Sequence, residues 1–337
     1  METYRAFRIH HDAQGHRAAL ERLPKQSPEA GEVLVRVAYS SVNYKDALAG
    51  TGRGKILRTF PLVGGVDAAG IVEESNDPGY RAGDAVVATG WGLSFDHDGG
   101  YAGYLRVPAT WLTPIPVGLD PRSAMILGTA GLTAALAVNR MRVNGQRPEM
   151  GPILVTGASG GVGSMAIALL ARLGYETVAL SGKPELADWL KAIGAARIIG
   201  RDALADAKRP LEKALWGGAI DNVGGEILAQ ITRTTVPNGN IASIGLAGGH
   251  LLETTVMPFI LRGVSLLGCN SVDLPQALRT DLWGHLASDW HPADVDLLLG
   301  ETVDLATLPR VFEDMLAGKT HGRILVELAP PSDTNGS

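Results

Sequence analysis

The sequence predicts an α/β chain of two domains, a small β barrel followed by a doubly wound parallel sheet. Three observations carry this. The 337 residues suffice for two ordinary domains, each with its own core. The first third breaks into short strands punctuated by glycine, a spacing that suits a small barrel. From residue 152 onward, strand-length apolar runs alternate with helical segments, which implies a parallel sheet covered on both faces.

Taken in order, "GEVLVRVAYS" (31–40) alternates apolar and polar residues. "VDAAGIVEES" (66–75), "GDAVVATG" (83–90) and "YAGYLRVP" (101–108) read as further short strands. "PRSAMILGTAGLTAALAVNRM" (121–141) turns helical, with Pro121 in a first-turn position. The second half offers strands in "PILVTG" (152–157), "ETVALSG" (176–182), "ARIIG" (196–200), "GAIDNVG" (218–224), "GNIASIG" (239–245) and "GVSLLGCN" (263–270). Helices are expected at 162–173, 184–194, 224–235 and near 307–318, then a last strand "GRILVEL" (322–328) and a polar, frayed tail.

Composition excludes several functions. A net charge of −5 argues against nonspecific binding to nucleic acid or an anionic membrane, so neither partner is expected. The only cysteine, Cys269, allows no intrachain disulfide and no multi-cysteine zinc site, and it reads as a buried small hydrophobe in a strand. "METYRAFRIHHDAQGHR" lacks the apolar core and cleavage site of a secretory signal. No apolar run approaches the roughly 20 residues that span a bilayer. A cytoplasmic enzyme is the expectation.

The chemistry begins at "ILVTGASGGVGS" (153–164), where a strand runs through a glycine turn into a helix. Amides at a helix start carry partial positive charge, and glycines let a pyrophosphate approach them. The fingerprint starts at Ala158 where glycine is usual, and Gly160 and Gly163 hold its other two places. Its position between a strand and a helix supports a nucleotide site over a structural turn. About twenty residues on, where an NAD enzyme places an acid for the ribose 2′-hydroxyl, stand Ser181, Gly182 and Lys183. Arg201 ends the following strand, and the two basic residues would welcome a 2′-phosphate. NADP is therefore expected over NAD; isolated solvated charges are the alternative. The turn also fits the short-chain dehydrogenases, but none of the seven tyrosines has the lysine four residues on that those enzymes require.

These features together resemble the medium-chain dehydrogenase/reductase superfamily over essentially the whole chain. The zinc alcohol dehydrogenases of that superfamily carry Gly-His-Glu where "GGVDAAG" places Val66 and Asp67. With no histidine there and one cysteine, the chain resembles the zinc-free branch of quinone and enoyl reductases, and no metal is expected. The blocks "SSVNYKDALAGTGRGKILRTFPLVGGVDAAG", "GWGLSFDHDGGYAGYLRV", "MILGTAGLTA" and "TTVMPFILRGVSLLGCNSV" resemble the acryloyl-CoA reductases of the AcuI/YhdH type.

That resemblance implies a GroES-like β-barrel catalytic domain (1–125 and 299–337) and a Rossmann NADP-binding domain (126–298). It implies NADPH-dependent reduction of acryloyl-CoA to propionyl-CoA, with NADPH quinone oxidoreductase as the alternative. Its cofactor contacts fall on Tyr44, Ser159, Gly160, Gly161, Val162, Ser181, Gly182, Lys183, Arg201, Leu246, Ile260 and Ser271. A homodimer through the edge "GVSLLGCN" is implied as well.

Reducing an enoyl thioester needs a hydride, which the cofactor carries, a donor for the enolate oxygen and a proton. The candidates are Asn43, Tyr44 and Asp46, in a turn after the strand 31–40, with Asp67 as a buttress or a cleft group. A phenol of ordinary pKa about 10 donates at neutral pH. A capped helix start is the plainer reading of "NYKD". Arg53, Lys55 and Arg58 are candidates for the phosphates of CoA and His97 for the substrate, set against a solvated face and a locally bonded loop histidine.

Overall fold

A computed structural model describes residues 2–204 and 209–328. The polar tail expected to fray lies outside the described residues. Contacts divide the chain into two compact units: Met1–Thr129 with Val272–Ala287 and Leu299–Ser337, and Ala130–Ser271 with Ser288–Leu298.

The first unit opens with a hairpin that the sequence reading passes over. Strands Thr3–Asp12 and Gly15–Pro24 pair antiparallel from Thr3↔Pro24 to Asp12↔Gly15, and Leu62–Val63 adds a third strand. The larger sheet runs Leu299–Val303, Arg323–Glu327, Glu32–Val42, Asp67–Ser75, Ala85–Thr89, Leu112–Pro114, and Tyr104–Pro108 also pairs with Glu32–Val42. One core serves both sheets. Val33, Val35, Val37, Val72, Val86 and Val326 meet Phe7 and Phe312, whose rings stand edge to face.

Residues 272–287, which the family resemblance groups with the nucleotide domain, pack in this first unit. The reason lies in the helix Gln276–Leu286: buried Arg279 donates to the Thr89 carbonyl at 2.8 Å, and its guanidinium lies over Trp91.

The expected helix 121–141 is observed as Pro121–Val143, broken at Gly128, whose φ of 51° and ψ of −156° no helix contains. It is also long and apolar enough by composition to cross a membrane, contrary to the sequence expectation; 83% of its apolar window is buried inside the protein.

The second unit holds a six-stranded sheet, every pair parallel, in the order Arg197–Ile199, Thr177–Leu180, Ile153–Thr156, Trp216–Asp221, Thr235–Ser243, Ser265–Gly268. This is the doubly wound order that reverses beside the first strand, where such sheets bind ligands outside their carboxyl ends. The expected helix 184–194 is a 3-10 turn followed by the short helix Ala187–Ala192. The last strand stops at Gly268, so Cys269 lies beyond it and is half-buried rather than enclosed. An edge strand has a neighbour on one side only, and cover at its end is correspondingly thin.

Candidate active site

In the first unit the strand Glu32–Val42 delivers the chain directly to the helix Tyr44–Thr51. "NYKD" is thus a helix start and not a free turn. Asn43 is the N-cap, and Asp46, three residues on, accepts from the Asn43 N–H at 2.9 Å in a capping box. This cap has a second function, because Asp46 is 1% exposed. Its other oxygen accepts from the Val66 N–H at 3.2 Å.

Asp67, at the start of the neighbouring strand, is 0% exposed. Its carboxylate accepts from the hydroxyl of Ser41 at 2.6 Å, the amide of Asn43 at 2.8 Å, and both the N–H and the hydroxyl of Thr129. The break at Gly128 makes the Thr129 contact possible: there the helix stops, restarts, and points a backbone N–H at the Asp67 carboxylate. Arg323, 2% exposed, supplies the counter-charge with Nη2 at 3.9 Å from Asp67. Its guanidinium also donates to Ser41 Oγ and to the carbonyls of Ile126 and Val42.

This network sorts the candidates. The Asn43 amide is spent inward, its nitrogen on Asp67 and Asp46 and its oxygen facing Arg323 at 3.4 Å, so it is not free to orient a substrate. Asp46 and Asp67 lie below the surface and hold other groups in place. Tyr44 alone faces outward, 50% exposed, with no hydrogen bond to its phenol among the described residues. The outcome is one exposed O–H mounted on a buried, charged frame. Ser41, Thr129 and Arg323 belong to that frame without having been expected from sequence, as does Tyr101, whose hydroxyl donates to the Ser41 carbonyl at 3.3 Å.

The substrate candidates do not converge. Arg53 is held by Glu313 at 2.8 Å. Arg58 stacks on the Phe95 ring at 4.1 Å, and His97 in the same loop bonds the Asp98 carbonyl through Nδ1. Lys55 is exposed, with no ion pair among the described residues.

In the second unit the strand Ile153–Thr156 enters the glycine turn. The left-handed residue there is Gly157, with φ 56°, one position before the fingerprint begins. Ala158 therefore carries no conformational burden, and its methyl is fully buried. Gly163 is indispensable, because a Cβ there would sit 2.2 Å from the Gly157 carbonyl oxygen. Buried Asp221 braces the strand end, accepting from Thr156 Oγ1 at 2.6 Å and from the Gly224 N–H at 2.8 Å. The helix Gly161–Arg172 begins with Gly160 as N-cap and no side-chain cap; the Gly160 N–H donates back to the Gly157 carbonyl at 2.9 Å, and the backbone donors left to an anion are those of Ser159, Gly161 and Val162.

Beyond the next two strands, Arg201 reaches the glycine that precedes Lys183. A Cβ on Gly182 would lie 3.1 Å from Arg201 Nε, so the guanidinium crosses directly over that glycine. The Ser181 hydroxyl accepts from the Lys183 N–H at 3.1 Å, and burial holds the Lys183 ammonium below the usual lysine range. A glycine cradle with donors and a hydroxyl flanked by two cations fits a dinucleotide bearing an extra phosphate. Leu246 and Ile260 are 68% and 72% exposed, and Ser271 accepts from Thr133 Oγ1 at 2.7 Å. Cys269 has its thiol pushed up to about 11 by burial. Among the described residues no three His, Cys, Asp or Glu are grouped to hold a metal.

Residues 29–117 match the family described as alcohol dehydrogenase GroES-like domain, and residues 161–288 match zinc-binding dehydrogenase. A Ruegeria pomeroyi protein named acrylyl-CoA reductase AcuI is 46% identical over 92% of this chain and 94% of its own. A Bacillus subtilis protein named "Putative quinone oxidoreductase YhfP" is 45% identical over 91% of this chain and 92% of its own. The yhdH oxidoreductase from Salmonella enterica, solved in complex with NADP, superposes with a TM-score of 0.92 at 45% identity, covering 96% of this chain and 99% of the other.

Proposed function

The chain belongs to the medium-chain dehydrogenase/reductase superfamily, and from that premise we propose that it reduces acryloyl-CoA to propionyl-CoA with NADPH, without a catalytic metal. The observation that carries the reading is the exposed phenol of Tyr44 on its buried frame, in a chain nearly half identical to a named acrylyl-CoA reductase.

When bound, NADPH supplies the hydride. The backbone donors of Ser159, Gly161 and Val162 would hold the pyrophosphate, with Gly160 leaving room for its close approach, and Ser181, Lys183 and Arg201 would hold the 2′-phosphate. Leu246, Ile260 and Ser271 line the cofactor with Tyr44. The Tyr44 O–H donates to the oxygen that gains charge as the thioester becomes an enolate, where an oriented donor is worth most. Asn43, Asp46 and Asp67 hold that phenol in place. Metal-free chemistry is supported by the donor set: one cysteine in the chain, and two carboxylates already committed to Arg323, Thr129 and backbone N–H groups. A homodimer through the edge Ser265–Gly268 is supported by its half-exposed Leu266.

The B. subtilis relative favours a second reading, reduction of quinones. One assay separates them. The purified protein is expected to oxidise NADPH with a higher kcat/KM for acryloyl-CoA than for benzoquinone or naphthoquinone. The reverse order would replace the first reading with the second.

A further inference from the structure

Three side-chain amide oxygens are buried without a hydrogen-bond partner among the described residues, those of Asn222, Gln230 and Gln276. Gln230 lies inside the helix Gly225–Thr234, and Gln276 opens a helix of the first unit. Asn222 stands directly beyond the strand Trp216–Asp221, at the carboxyl end of the parallel sheet. That end is where such sheets hold their ligands. A buried acceptor without a donor is uncommon in a folded chain, and its partner is then a ligand or a water.

The orientation of this amide is fixed. Asn222 Nδ2 donates to the Thr156 carbonyl at 2.8 Å, and a carbonyl only accepts, so the oxygen is the end left over. The Asn222 N–H is spent on Thr156 Oγ1 at 2.9 Å. The neighbouring acid does not compete for a ligand, because Asp221 already accepts from Thr156 Oγ1 and from the N–H groups of Val223 and Gly224. Glycine backbone flanks the site. A Cβ on Gly157 would stand 3.3 Å from Asn222 Cβ, and one on Gly245 2.2 Å from the Asn222 carbonyl oxygen. Neither neighbour puts a side chain over the amide, so a small shift of 245–249 opens its oxygen to a ligand.

Strand order selects the ligand group. Arg201 follows the strand Arg197–Ile199, Ser181 and Lys183 follow Thr177–Leu180, and the glycine turn follows Ile153–Thr156. A dinucleotide with its 2′-phosphate at the first two strands and its pyrophosphate at the third runs across the strand ends in that direction. The next strand is Trp216–Asp221, about 4.8 Å further on, and Asn222 ends it. One step past the pyrophosphate comes the ribose that carries nicotinamide, and its hydroxyls are donors.

We propose that Asn222 Oδ1 accepts a hydrogen bond from a hydroxyl of the nicotinamide-side ribose of NADPH and so fixes that half of the cofactor. The adenosine half gains nothing from it. The inference rests on the NADP(H) reading and on no choice of acceptor.

The test titrates wild type and Asn222→Ala by calorimetry with three probes. These are NADP, adenosine 2′,5′-bisphosphate as the adenosine half alone, and 3-acetylpyridine adenine dinucleotide phosphate, which keeps the ribose and lacks the carboxamide N–H donors. In the variant the Kd of NADP and of the acetylpyridine analogue is expected to rise about tenfold, as for one lost hydrogen bond, with the bisphosphate changed by less than about twofold. Equal weakening of all three would reduce Asn222 to a brace for Thr156 and overturn the proposal. An unmoved NADP constant leaves the oxygen to a water, and an unmoved analogue gives it to the carboxamide; either overturns it as well. A wild type that binds no probe sinks the cofactor reading and the proposal together, a result unlike the others. If Asn222→Ala does not fold, Asn222→Ser keeps a shorter side chain with a donor, is expected to show the same split, and is judged by the same outcomes.

Discussion

Gly128→Ala tests the frame at its tightest point. The residue sits at φ 51°, ψ −156°, a conformation essentially restricted to glycine, and forcing alanine into it costs about 1–3 kcal/mol. The added methyl would stand 2.8 Å from Asp67 Oδ2, 2.9 Å from Ser41 Oγ and 3.1 Å from Arg323 Nη2. None of these atoms ends a flexible, solvent-facing chain; all three are buried and mutually bonded. Making room therefore separates Asp67 from Arg323 or from Thr129, and breaking a buried pair costs about 3–5 kcal/mol. The two contributions overlap, so we expect a loss of at least about 4 kcal/mol, a large part of a typical domain's 5–15. Urea unfolding followed by circular dichroism measures it. Gly174→Ala is the control, with φ 79° and nothing within 4 Å of the new methyl, and is expected to cost about 1 kcal/mol. If the two variants lose the same amount, the packing argument around Asp67 is wrong.

Three further outcomes are expected. Lys183→Glu should weaken NADPH binding roughly tenfold to a hundredfold and NADH binding far less, measured by fluorescence titration; equal losses would separate Lys183 from the 2′-phosphate. Tyr44→Phe should leave the melting temperature unchanged, since the phenol supports nothing in the fold, and should cut kcat/KM for acryloyl-CoA roughly a hundredfold; full activity would remove the phenol from the reaction. Thr129→Val deletes one donor to a buried carboxylate and should cost about 1–3 kcal/mol in the same unfolding assay, with an unchanged curve counting against that bond.

What the sequence could show follows from the range of each contact. The parallel sheet was legible because each strand and helix announces itself within a dozen residues, and the nucleotide turn because its four glycines fall between 157 and 163. Lys183 and Arg201 were found together because neighbouring parallel strands end side by side. The frame under Tyr44 was not legible. Arg323 reaches Ile126 and Ser41 from 197 and 282 residues away, and nothing in "GRILVEL" marks its arginine as buried. Asn43 misled for a related reason: an asparagine beside a candidate tyrosine suggests a substrate contact until the acids behind it are seen. The hairpin Thr3–Pro24 was missed because its polar residues mask the two-residue alternation.

The half-buried Cys269 has a consequence for survival of the protein in its own chemistry. Acryloyl-CoA alkylates thiolates through the same carbon that accepts the hydride. A free cysteine of pKa about 8.5 is a few per cent thiolate at neutral pH. With its thiol pushed up to about 11, Cys269 offers on the order of one molecule in ten thousand. It is also the only thiol among 337 residues. Under the proposed reading, a catalyst that meets a reactive electrophile at every turnover would present it with almost no thiolate to attack.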